Sequence, residues 1–253
     1  MTPTSAEEDM SSLSHAFSSA SVAEQIKGIS PEVYDAAARF WRVPVEAGAL
    51  TPRMQELILL AMHASASALN AEAIGRQVKR ARLAGATEED VLDTLIIIVG
   101  LANHALYKSV PVLEEELTRA GVSIQIPDAH PEFEEVKGRF IAARGFWNSD
   151  RDRLATFLPE YVLALTDLSV ASSGSGQLSN KERELICIAT DCTVNHAFEA
   201  GLRLHIRNAI SLGASGAEIL HVFQLAALLG LEGYILGANA LFGASGQLQA
   251  PAY

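Results

Sequence analysis

Apolar and polar positions along this chain recur with a helical period, and no strand-like alternation survives over any length. The stretch LTPRMQELILLA (Leu50–Ala61) opens polar and closes into an apolar run, and LSNKERELICIA (Leu178–Ala189) does the same 128 positions later. The register then holds without a gap for about fifty residues. Glu56 meets Glu184, Ala81 meets Ala209, and Gly85-Ala86 meets Gly213-Ala214. Upstream, Pro31-Glu32 falls on Pro159-Glu160. This is an internal duplication whose period is far too long for a solenoid. Each copy predicts a capped helix (about 52–65 and 180–193), a second helix ending at the glycine, and a third beginning at Thr87 or Ser215. Thr51-Pro52 supplies a capping hydroxyl and an N1 proline. Ser179 with Glu182 and Ser215 with Glu218 form capping boxes, and Thr87 with Asp90 a weaker one. Gly85 and Gly213 stand where left-handed C-caps belong. Pro111 is expected to end or kink the third helix of the first copy.

The expected fold is therefore all-α, with two tandem helical domains forming a pseudo-dimer. Residues 1–24 are Ser-rich and acidic and read as a disordered tail; 25–125 form the first domain and 126–253 the second. Within the second, 131–170 carry helical patterning, and Ser172–Gly176 (SSGSG) reads as a flexible loop.

Composition narrows the functions. The 253 residues are 49% apolar, enough for a large core, and carry 19 Lys+Arg against 30 Asp+Glu, a net charge of −11. That balance argues against nucleic acid and against anionic lipid as partners. The apolar stretches Leu95–Leu101 and Ile219–Leu231 are too short to span a bilayer. No signal-peptide pattern opens the chain. Cys187 and Cys192, five residues apart on one predicted helix, point about 140° apart. They read as reduced thiols in a cytoplasmic protein.

The second copy places Glu184 on its capped helix and then HIRNAISLGASGAE (His205–Glu218) on the next, the pattern His-x3-Ala-x3-Gly-Ala-[Ser/Thr]-x2-Glu. This resembles the carboxymuconolactone decarboxylase family, which shares its helical fold with the alkylhydroperoxidase D-like proteins. The resemblance covers about 28–117 and 156–244. It implies homo-oligomers, active sites lined by helices at subunit interfaces, and decarboxylation of a small lactone or keto/enol carboxylic acid without a cofactor. Ring opening, lactone hydrolysis and double-bond shifts, as in an isomerase or hydrolase, are within reach of the same groups. A non-catalytic binding module is the alternative from another class. The peroxidase branch carries Cys-x2-Cys ahead of its His. Counting back from His205, those places hold Phe198 and Gly201, so a thiol peroxidase is disfavoured.

The candidate catalytic residues are His205, Glu184 and His196. His205 shares an apolar stripe with Phe198, Leu202, Ala209 and Leu212. Imidazole there can carry a proton, with Glu184 facing it to orient or protonate it. Glu184 otherwise reads as a carboxylate favoured near a helix start. His196 reaches the same pocket only if it is still in the loop, because on a helix it would lie about 180° from His205. His104, matched by Glu232 in the second copy, together with Arg203 and Arg207, are candidates for binding an acidic or carbonyl small-molecule substrate. His63, His130 and His221 are expected to face solvent or cap helices. Gln77 replaces His205 in the first copy and cannot act as an acid or base, so one working site per chain is expected, with His104 or Lys108 lent by the first copy. No metal is expected, because no H-x3-H or E-x2-H spacing lies on a predicted helix.

Overall fold

The computed structural model describes residues 11–101, 103–175 and 178–243. Thirteen α-helices follow one another among them, and the two copies use the same series. The first copy has α1 (Ala20–Ile29), α2 (Pro31–Val45), α3 (Pro52–Ala64), α4 (Ala71–Leu83), α5 (Glu88–Leu101) and α6 (His104–Ala120). After α7 (Phe133–Arg144), the second has α8 (Asp150–Phe157), α9 (Pro159–Ser175), α10 (Asn180–Cys192), α11 (Glu199–Ser211), α12 (Gly216–Ala227) and α13 (Glu232–Phe242). The bounds of α10 and α11 are those of α3 and α4 moved by 128 residues.

The caps explain this agreement. Thr51 accepts from the Met54 N–H, Ser179 and Ser215 each complete a capping box, and Thr87 and Asp90 bond each other reciprocally at 2.9 and 3.1 Å. Gly85 (φ 91°) and Gly213 (φ 86°) take the left-handed conformation that stops α4 and α11.

Helices α3 and α10 form the centre. Every residue from Met54 to His63 and from Arg183 to Asp191 is buried. The two helices pack on each other and on α5 and α12, with α4 and α11 laid against their outer faces. A helix buried on all sides cannot hydrate its polar side chains, so these find partners across the copies. Arg183 of α10 bonds Asp93 of α5 and the Leu178 carbonyl, the latter at 3.2 Å. Arg53 reaches Asp90 in its own copy and Glu182 in the other, at 2.8 Å each.

Several expectations need correction. Residues 11–24 are ordered rather than tail-like: Leu13–Ala16 make a 3-10 turn, and Leu13, Ala16, Phe17, Val22 and Ala23 are buried in the main core. The many polar residues of this segment conceal the few apolar side chains that it buries. Residues 1–10 lie outside the described residues. Helix α9 runs through Ser175 instead of ending in a loop at Ser172, and Gly176 lies outside the described residues. Pro111 sits inside α6, whose start at His104 makes the break after α5. His63 and His221 are buried; His221 accepts from the Leu50 N–H at 3.2 Å and donates to the Pro44 carbonyl at 2.7 Å. His130 does sit beside a helix start, accepting from the Glu132 N–H. Because helices abut end to end, the stretches Glu88–Ala120 and Gly216–Phe242 reach a length and apolarity that could cross a membrane, longer than the apolar runs alone suggest. Here their buried side chains (Ile97, Ile98, Leu101, Val222, Leu225 among them) belong to the core.

Replacing Arg183 with Ala leaves Asp93 buried opposite a hole. We expect a loss of about 3–5 kcal/mol, read as a lowered midpoint in urea unfolding.

Candidate active site

Helix α10 carries two carboxylates, Glu184 and Asp191, seven residues apart. Seven residues are almost two full turns, so both face α11. Between them comes His205, buried in the middle of α11. Its Nδ1 lies 2.7 Å from Glu184 Oε2, and its Nε2 lies 3.9 Å from Asp191 Oδ2. Glu184 also accepts from Arg144 at 3.1 Å and from the Asn208 amide at 3.3 Å. Burial pushes the Glu184 carboxyl up, but His205 and Arg144 more than offset this and hold it below the ordinary carboxylate range.

His196 is in the loop between α10 and α11, and this is what lets it join His205. The loop passes through a left-handed conformation at Ala197 (φ 45°), as the first copy does at Leu69 (φ 43°). It returns His196 Nε2 to 3.4 Å from Asp191 Oδ1. The first copy contributes His104, the first residue of α6, with its Nδ1 3.2 Å from the same oxygen. The His104 ring stacks on Phe198 at 4.0 Å between centroids, and Lys108 stands over the other ring partner, 4.9 Å from the Phe198 centroid. Burial pushes His104 below the ordinary imidazole value despite Asp191. Burial also raises Asp191, but His104 and His196 bring it below the ordinary carboxylate value.

A cavity of about 310 Å³ opens beside this cluster, walled by His104, Tyr107, Arg144, Phe146, Arg151 and His205 among others. Arg207 lines it from an exposed position, and Arg151 is buried in its wall. Arg203 does not line it. Arg203 is exposed and held by Glu199 at 2.8 Å, an ion pair one turn apart on the surface of α11.

Of the residues expected from sequence, the fold brings His205, Glu184, His196 and His104 together and sets Arg207 at the cavity. Asp191, Arg144 and Arg151 were missed. Asp191 had a usable signal, its two-turn spacing from Glu184. Arg144 and Arg151 lie outside the duplicated motif, and only the packing of α7 and α8 places them. Three metal-competent side chains, His104, Asp191 and His205, offer ligand atoms within 4.8 Å of one another. The absence of a local spacing motif therefore did not exclude convergence, since these residues come from three helices.

Gly201 is a requirement of this geometry. A Cβ at that position would lie 2.3 Å from Asp191 Oδ2 and 2.6 Å from the Phe198 ring. The thiols are elsewhere: Cys187 is fully enclosed and burial raises it, and burial pushes Cys192 up to about 11. Neither supplies a thiolate near neutral pH.

At the equivalent place in the first copy, ion pairs replace the imidazoles, and a cavity of about 920 Å³ is lined by Arg76 and Arg80. Glu56 is held by Arg80 at 2.7 and 2.9 Å. Gln77 is buried with neither amide atom hydrogen-bonded. His63 stands where the second copy has Asp191, 3.5 Å from Glu232, and burial and then Arg76 push it down to about 3. Arg76 binds Glu232 at 2.5 Å and the Ala16 carbonyl at 3.2 Å.

Comparison with known proteins agrees with this architecture. No curated protein matches the chain. Among solved structures, one from Burkholderia xenovorans LB400, described as a "putative gamma-carboxymuconolactone decarboxylase subunit", superposes with a TM-score of 0.82 at 29% identity, over 93% of this chain and 95% of that one. The model of the carboxymuconolactone decarboxylase family matches residues 31–115 and again 159–238, one match to each copy, so the chain belongs to that family in tandem form.

Proposed function

We propose that the chain is a carboxy-lyase acting on a small lactone or keto/enol carboxylic acid, with one working site per chain in the second copy. The observation that carries this reading is the orientation of His205. Its Nδ1 is engaged by Glu184 at 2.7 Å, which leaves Nε2 to exchange a proton in the enclosed space beside the cavity. Arg144, Arg151 and Arg207 give that cavity a positive lining suited to an acidic ligand.

The chemistry follows from these positions. Loss of carbon dioxide breaks a carbon–carbon bond and leaves its electron pair conjugated with a carbonyl, as an enolate. A protonated His205 gives its Nε2 proton to the enolate carbon, forming the new C–H bond, and solvent restores the proton. Glu184 stabilises the imidazolium and fixes the ring. The enclosed, low-dielectric setting strengthens both effects. The same proton carrier would serve a double-bond shift on a similar acid. The thiol reading finds no support, since both cysteines lie on α10, Cys187 buried and Cys192 half-buried, and burial raises both.

With a panel of muconolactone-type acids, His205→Ala is expected to lower kcat by at least about 100-fold, whereas Gln77→Ala keeps most of it. Turnover that depends on Gln77 and not on His205 would reverse the assignment. A second check concerns the Glu184–His205 pair. Because the folded Glu184 carboxyl is depressed, its contribution is complete above the unfolded value near 4.5 and disappears as pH falls through the lower folded value. Glu184→Gln should therefore destabilise the protein at pH 7 and cost progressively less toward pH 3, measured by urea unfolding across that range. A cost independent of pH would show that the carboxylate charge is not what the fold uses there.

A further inference from the structure

Asp191 has its side chain wholly out of solvent, yet neither carboxylate oxygen has a well-directed hydrogen bond. Such a charge needs partners, and those around it are unusual. His104 Nδ1 stands 3.2 Å from Oδ1, His196 Nε2 stands 3.4 Å from the same oxygen, and the two nitrogens are 3.0 Å apart. Protons serve this triangle badly. If both rings aim N–H groups at Oδ1, the two N–H groups crowd each other. If one ring donates to the other, the accepting nitrogen turns its lone pair on the carboxylate. In either case one edge of the triangle is repulsive.

A cation at the centre removes the conflict, because three lone pairs can then point at one positive charge. Ligand atoms about 2.1 Å from a zinc ion at tetrahedral angles lie about 3.4 Å from one another. The three separations here fall within a few tenths of an ångström of that spacing. Two imidazoles and one carboxylate are also a ligand set suited to zinc and to non-haem iron sites that keep a position open. The rings are held for the purpose. His104 is stacked on Phe198, and the missing side chain at Gly201 is what admits Asp191. Burial keeps His104 toward its neutral, ligating form.

We propose that His104 Nδ1, His196 Nε2 and Asp191 Oδ1 bind a divalent first-row transition ion, with zinc as the reference ion. His205 stands next to the ion, its Nε2 3.9 Å from Asp191 Oδ2, and is not required to hold it. An ion there would draw a carboxylate or carbonyl oxygen of an acidic ligand toward the cavity and polarise it as a Lewis acid. The site stands on the geometry of Asp191 and holds whether or not His205 moves a proton.

The test uses the full chain, stripped with a chelator and exchanged into clean buffer. Zn2+ alone is titrated by calorimetry, and Co2+ alone is followed by its visible absorption. We expect one ion per chain in the wild type. His196→Ala and Asp191→Asn should each weaken binding by roughly 100-fold or more, beyond the loss typical of an orienting neighbour, while His205→Ala stays within a few-fold. His196 lies in a loop at the edge of the cluster and is partly exposed, so its result stands even if Asp191→Asn fails to fold. No stoichiometric ion in the wild type, or binding that survives His196→Ala, would overturn the site. So would a loss confined to His205→Ala. None of these readings uses turnover, so a failure here is distinct from a failure of the lyase reading.

Discussion

Helix α10 is sealed on every side, and it carries carboxylates at positions 184 and 191. Ions that cannot be hydrated cost several kcal/mol each unless neighbouring groups replace the water. The surrounding structure supplies these neighbours: His205 and Asn208 from α11, Arg144 from the end of α7, His196 from a strained loop, and His104 from the other copy. The central helix of the first copy has the same problem at Glu56 and answers it with Arg80. What differs is the kind of answer. In the first copy a guanidinium answers with a permanent positive charge, whereas in the second imidazoles stand against the carboxylates, and their charge is not permanent.

Packing of the copies against each other decides which residues meet. The first side chain of α6 reaches across to α10, and the first side chain of α13 reaches across to α3, so each copy completes the other. His104 thereby meets Asp191, and its counterpart Glu232 meets His63. The carboxylate–imidazole pair is preserved with its members exchanged, but the second copy adds a further imidazole, His205, to the wall of its cavity, whereas the cavity of about 920 Å³ on the first copy is lined by Arg76 and Arg80. In the first copy, Arg76 lines the corresponding cavity and binds both Glu232 and the Ala16 carbonyl.

How far the chain could be read in advance depended on the range of the interactions. Caps at Thr51, Ser179 and Ser215 and the glycines at 85 and 213 are local devices, and they fixed the helix boundaries of both copies to within a residue or two. The Glu184–His205 pair was legible because both residues sit in duplicated helices whose facing stripes could be worked out. Arg144 and Arg151 were not, since only the packing of α7 and α8 brings them to the cavity. Asp191 was overlooked although its spacing from Glu184 is helical, because an acidic residue near a helix end is ordinarily solvated. The segment from 11 to 24 was misread for a related reason: its average polarity hides Leu13, Phe17 and Val22, all of which are buried. Arg203, expected at the site from its place beside His205, is instead paired with Glu199 at the surface.

The contribution of His104 from one half of the chain to a site in the other bears on how such a molecule changes over time. In a symmetric pair of separate subunits, any substitution at this position appears twice, and both sites gain or lose the ring together. Joining the two halves in one polypeptide uncouples them. One position can keep an imidazole while its twin becomes a glutamate, and the two halves are free to diverge one residue at a time.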